Sequence, residues 1–160
     1  MRDLRFLLAL TALTVGTLGL PACTDGAPGS VSGSTAGVTT IDVSLTAFAA
    51  TTIPEGVSLG YSPAQLIVPV GTQIRFINQD SFAHTASSVG RTTFPSGSPL
   101  GIAALTPSAS GSGLSGGGWS SGNLAPGASS PVFVADAPGL YLFGCFYHYG
   151  ASMRAAIVVQ

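Results

Sequence analysis

Residues 138–153 read Pro-Gly-Leu-Tyr-Leu-Phe-Gly-Cys-Phe-Tyr-His-Tyr-Gly-Ala-Ser-Met. The stretch opens on a turn, since Pro fixes one backbone angle and Gly tolerates the left-handed region that follows it. Leu140 to Cys145 then form an apolar run of strand length, rich in residues that fit a pleated surface. Cys145, His148 and Met153 follow at the spacing Cys-x2-His-x4-Met, and Met153 to Val159 is again strand-like. A thiol, an imidazole and a thioether therefore sit on one short loop between two strands.

The same rhythm extends towards the N-terminus. Thr39 to Ala47 alternates apolar and polar residues and reads as a first strand. Leu66–Val68, Gln73–Asn78, Phe82–Ser87 and Pro131–Ala135 read as four more. Short strands at these intervals, separated by Gly- and Pro-containing turns, predict an all-β, Greek-key β-sandwich. Composition agrees: 22 Gly and 11 Pro accompany 46% hydrophobic residues and only 7% charged ones, too apolar for a disordered chain. With a formal net charge of −1 and no lysine, no basic cluster exists to neutralise phosphates. No nucleic-acid partner is expected.

Residues 88–123 depart from the rhythm and read as a Gly/Ser-rich insertion. Ser98–Leu105 could hold a short helix, with Ser98 as its cap and Pro99 at the first helical position. Ser108–Gly118 reads as a mobile loop, and Trp119 as a packing anchor. The N-terminus is read as an export signal over residues 1–22, where a positive start precedes an uncharged run too short to span a bilayer. Residues 23–37 are small and polar. The tether formed by residues 24–37 would reach roughly 20 Å and hold a domain at 38–160 away from a membrane.

Beyond Cys23 the chain has one cysteine, two histidines and one methionine. Three of them lie in the quoted stretch. The fourth, His84, follows Asn78-Gln-Asp-Ser-Phe-Ala. Taken singly, Cys145 reads as a core thiol, His84 as a satisfied histidine and Met153 as a gap-filler. Together they form a donor set with a chemical purpose. One thiolate, two imidazoles and a weak thioether suit a copper ion cycling between two oxidation states. Zinc would accept the thiolate and imidazoles but has little use for the thioether. A Cys23–Cys145 disulfide is the other rival use of the thiol.

These motifs resemble those of the blue-copper (cupredoxin) family, in its plastocyanin- and pseudoazurin-like spacing. Tyr61-Ser62-Pro63, Pro69-Val-Gly-Thr72, Phe76-Ile-Asn-Gln-Asp80, Leu124-Ala-Pro-Gly127 and Pro138-Gly-Leu-Tyr141 share in the resemblance, which spans residues 38–160 less the insertion. It implies one type 1 copper, with His84, Cys145 and His148 in the metal plane and Met153 axial. It also implies single-electron carriage by a monomer that is not an enzyme. Redox partner proteins would dock transiently on an apolar patch around His148, formed by Phe82, Ala83, Tyr147 and Tyr149, although these aromatics could equally serve to pack the loop. Two positions depart from the family pattern. Tyr147 stands where many members have proline before the histidine, and Thr85 where many have the asparagine that braces the cysteine loop. The second reading of the chain is a copper trafficking or resistance protein, in which the metal is cargo.

Leu20-Pro-Ala-Cys23 resembles the bacterial lipoprotein cleavage box. That resemblance implies acylation of Cys23 and a lipid anchor in the cell envelope, on a periplasmic face or at the cell surface. The alternative is an ordinary signal peptide that leaves Cys23 as a stray thiol.

Overall fold

The computed structural model describes residues 37–160. The export signal, Cys23 and the tether up to residue 36 lie outside the described residues. Eleven strands are described, from β1 (Thr39–Val43) and the β2/β3 hairpin (Thr51–Ile53, Gly56–Ser58) through β4 (Tyr61–Ser62), β5 (Gln65–Val68) and β6 (Gln73–Asn78). They continue with β7 (Ser87–Ser88), β8 (Ser112–Gly113), β9 (Phe133–Val134), β10 (Gly139–Gly144) and β11 (Arg154–Val159). One sheet has the order β4-β1-β6-β9-β8 and the other β5-β11-β10-β7. The fold is the expected all-β Greek-key sandwich.

Alternation places the main core between the sheets. Ile41, Val43, Ile74, Phe76 and Phe133 come from the first sheet, and Phe143, Ala155, Ile157 and Val159 from the second. β6 shows the reason most clearly: Ile74, Phe76 and Asn78 point inward while Gln73, Arg75 and Ile77 do not, the period-2 pattern of a half-buried strand.

β10 is different, because its outward face is buried too. Leu142 and Ala156 of β11 join Ile53, Val89 and Tyr149 in a second apolar cluster, against which Phe94, Leu100 and Leu140 pack. Residues 89–100 thus cover the outer face of the second sheet. This explains the unbroken apolar run Leu140–Phe143, since a strand buried on both faces does not alternate.

The 88–123 segment is built into the domain throughout. Its helix is a short 3-10 turn at Ile102–Leu105, preceded by Gly101 in extended conformation. The expected start at Ser98 and Pro99 is not adopted; Ser98 Oγ instead accepts the Leu100 N–H at 3.3 Å in a local turn. Nor is Ser108–Gly118 a free loop. β8 pairs in parallel with β9, the Leu114 N–H donates to Val134 O, and Leu114 is buried in the main core. Trp119 packs against Phe76, Phe133 and Phe143, as a packing anchor should.

The expected strand Phe82–Ser87 is reduced to Ser87–Ser88, plus an isolated bridge between His84 and Leu124. The chain here leaves the sheet edge to fold over the end of the sandwich, and this brings His84 to the cysteine.

Candidate metal centre

β7 pairs with the last residues of β10, Ser88 opposite Phe143 and Ser87 opposite Gly144. The residues just before β7 therefore run beside Cys145, which follows β10. The Thr85 N–H points at Cys145 Sγ at 3.5 Å, and Thr85 Oγ1 accepts the Phe146 N–H at 2.9 Å. Thr85 braces the cysteine loop through its hydroxyl. Tyr61, from the first sheet, donates its phenol to Thr85 O at 2.6 Å, tying this segment to the opposite layer.

The ligand loop closes on itself. The Cys145 N–H donates to Met153 O, the Met153 N–H to His148 O, and a 3-10 turn spans Tyr149–Ala151 between them. Ser152 exits that turn with φ 66°. Gly144 permits this closure, because a Cβ there would lie 2.7 Å from the Tyr149 ring.

The three donors meet. Cys145 Sγ lies 3.7 Å from His84 Nδ1 and 3.5 Å from His148 Nδ1, and one donor atom from each of the three residues lies within 4.8 Å of the others. A first-row ion bound at about 2.0–2.3 Å to nitrogen and sulfur spans N–S edges of about 3.6–3.8 Å, so the triangle fits one metal ion. Met153 is fully buried in the same cluster as Cys145, and Gly60 abuts it: a Cβ on Gly60 would stand 3.1 Å from both Met153 Cε and Cγ.

The environments of the donors suit ligation. Burial raises the Cys145 thiol above its ordinary value, against hydrogen bonds around the sulfur that pull the other way. The metal-free thiol thus keeps its proton at neutral pH, and metal binding must displace it. Burial lowers the pKa of His148, and the neighbouring His84 acts in the same sense against the smaller opposing effect of Asp80. The imidazole stays neutral, as a ligand must be.

His84 is held from behind. Its Nε2 lies 2.7 Å from Asp80 Oδ2, and both side chains are buried. Burial pushes the Asp80 carboxyl up, but hydrogen bonds from Thr46, His84, Ser44 and the Leu45 N–H outweigh it and hold the group well below the usual carboxylate range. The turn carrying Asp80 is itself shaped by Asn78, whose amide donates to Phe82 O and Leu124 O and whose Oδ1 accepts the Asp80 N–H. Sequence reasoning missed Asp80 and Gly60. The interval of four residues between Asp80 and His84 was the available signal for the first; nothing local marks the second.

Of the four residues expected around the exposed edge of His148, three are there. Phe82, Ala83, Tyr147 and His148 line one open depression, with Phe82 and Tyr147 well exposed. Tyr149 is a correction. It is only 2% exposed and packs in the second apolar cluster, beneath the Arg154 guanidinium. The chain folds back at Tyr149 towards the covered face of the second sheet, so its ring cannot reach a docking partner.

A two-sheet sandwich that gathers one thiol and two imidazoles at its end, on a cysteine–histidine–methionine loop, defines a small β-sandwich metalloprotein. A family model described as copper binding proteins of the plastocyanin/azurin family matches residues 48–160, and the chain belongs to that family. His84, Cys145 and His148 are positioned to bind a single type 1 copper. Similar solved structures include a novel purple cupredoxin from Nitrosopumilus maritimus, at 20% identity and TM-score 0.46 over 76% of this chain and 99% of that one. A reduced proline-to-phenylalanine mutant of amicyanin is similar at 16% identity and TM-score 0.47, over 84% of this chain and 92% of that one. No curated protein matches the chain in sequence.

Proposed function

We propose that this chain carries single electrons between redox proteins in a bacterial cell envelope, anchored there by a lipid on Cys23. The observation that carries the reading is the asymmetry of the four candidate donors. Cys145, His84 and Met153 are fully buried, and His148 alone is partly exposed, between Phe82 and Tyr147. Copper held there would cycle between its two oxidation states, accepting one electron from a reduced partner and giving it to an oxidised one. No bond needs to form or break.

The protein's residues do the rest. The Cys145 thiolate and the two imidazoles would supply the strong donors, and Met153 a weak thioether donor. Four protein donors would fill the positions of a bound copper, and burial of three of them keeps water away. The apolar depression at His148 offers a partner a small desolvated contact without a deep pocket, which suits brief encounters. A tether between Cys23 and the domain would let the site sample partners near one membrane.

Adding copper to the full chain and recording its visible spectrum and redox titration tests this directly. The expected result is an intense thiolate-to-copper band with reversible one-electron cycling, both abolished in Cys145→Ser. A band that persists in Cys145→Ser would defeat the ligand assignment. Colourless, rapidly exchanging copper would make the metal cargo and the protein a trafficking or resistance binder. Metabolic labelling with a radioactive fatty acid, absent from Cys23→Ala, tests the anchor.

A further inference from the structure

The two histidines are supported in opposite ways. His148 meets aromatic rings and an open depression, whereas His84 backs onto a buried carboxylate. We infer that Asp80 is a positioning residue that presets His84 for the metal and, resting on the copper reading above, biases the bound ion towards its oxidised state.

The Asp80 carboxylate is held by donors on several sides. Oδ2 accepts the Leu45 N–H at 2.6 Å and faces His84 Nε2, while Oδ1 accepts the hydroxyls of Ser44, at 2.8 Å, and Thr46. Ser44 Oγ is itself occupied as an acceptor by the Ala47 N–H, so its proton is directed at the carboxylate. The Leu45 N–H can only donate. Asp80 is thus an acceptor fixed on several sides, and what faces it from the imidazole must be Nε2–H. With Nε2 turned to Asp80, the other ring nitrogen, Nδ1, faces Cys145 at 3.7 Å. The ring is oriented for ligation before any metal arrives.

Charge adds a second effect. A carboxylate hydrogen-bonded to a ligating histidine raises the basicity of that ligand. A buried negative charge also favours the more positive of two metal states. Its removal should make reduction easier. It should also loosen the hold on His84, because partners of this kind typically account for 10–100-fold in metal affinity.

The test uses the full chain with and without copper. In the metal-free wild type, nitrogen-15 NMR of the imidazoles should show His84 as the Nε2–H tautomer with a slowly exchanging proton. A His84 protonated on Nδ1, or one averaging between tautomers, overturns the positioning role and needs no variant to be folded. Asp80→Asn keeps the shape and an acceptor but removes the charge. It should retain the visible band and raise the ratio of reduced to oxidised copper at fixed potential about tenfold, an upward shift of ~59 mV for one electron. A change below twofold overturns the charge effect. Asp80→Ala should also lose the single tautomer and weaken copper binding 10–100-fold; full retention of both overturns the proposal. A wild type that shows the Nε2–H tautomer yet gives no thiolate band separates the outcomes. In that case the copper reading and the charge effect fail, while the positioning of His84 stands.

Discussion

The loop from Cys145 to Met153 and the segment from 88 to 123 have opposite compositions and do opposite work. The loop places three chemically distinctive side chains within nine residues and folds by bonding to itself, Cys145 N–H to Met153 O and Met153 N–H to His148 O. The segment is four times as long, mostly small and polar, and has no ligand. It works through scattered apolar residues: Val89, Phe94 and Leu100 cover the outside of the second sheet, and Leu114 and Trp119 enter the main core. The difference separates two kinds of information in a sequence. Metal chemistry lies in residue identity and spacing, so a short stretch reveals it. Covering a sheet needs only an occasional large apolar side chain, and a Gly/Ser background conceals it.

If the segment is structural and the loop chemical, their perturbations should read out in different measurements. Trp119→Ala removes a buried aromatic from among three phenylalanine rings. It should lower stability by about 3–5 kcal/mol, measured by urea unfolding of the copper-free chain. The visible band of the variant that remains folded should match the wild type. Loss of the band at full stability would reverse the assignment of the two regions.

A second variant reaches the loop from outside. Gly60 lies at φ +76°, and a Cβ there would meet Met153 Cε and Cγ at 3.1 Å. Gly60→Ala should cost about 1–3 kcal/mol from crowding and an unfavourable backbone angle. Unlike Trp119→Ala, it should also change the intensity and position of the copper band if Met153, which must give way, is the fourth ligand. An unaltered band would show that Met153 is not an axial ligand.

The same division governs how much was legible in advance. Gln73–Asn78 reads as a strand to the residue because it alternates cleanly, and β10 and β11 fall within a residue of their expected limits. The three strong donors were legible from their side chains alone. Tyr149 was misread because neighbours of ligands in sequence need not share their exposure: one 3-10 turn redirects it inward. Phe82–Ser87 was misread because its β-like composition serves a chain crossing the sandwich end, with His84 and Leu124 joined by a lone pair of backbone bonds. Asp80 was only half legible as a support: its interval of four to His84 is local, but the donors that fix its carboxylate come from Ser44–Thr46, some 35 residues away in sequence. The β8 strand was hidden because Ser112 and Gly113 carry no strand preference. Gly113 is required there by a contact that no local pattern encodes, since a Cβ would collide with the Asp136 carboxylate.

That carboxylate gives the smallest test. Asp136 follows β9 and accepts the hydroxyl and the N–H of Ser115, which follows β8. The Ser115 hydroxyl foremost, then its N–H, holds the Asp136 carboxyl below its ordinary value of 3.8, against a small opposing effect of burial. A carboxyl depressed in the folded state adds stability above its unfolded value and loses it as pH falls through the folded one. The pair is exposed, so Ser115→Ala should cost no more than about 0.5 kcal/mol at neutral pH. The gap between wild type and variant should close as pH drops below 3.8. Urea midpoints compared at neutral and acid pH would measure it. A gap that stayed constant across that range would mean that Ser115 holds β8 by packing or backbone shape, and that the Asp136 charge contributes nothing to fastening this segment.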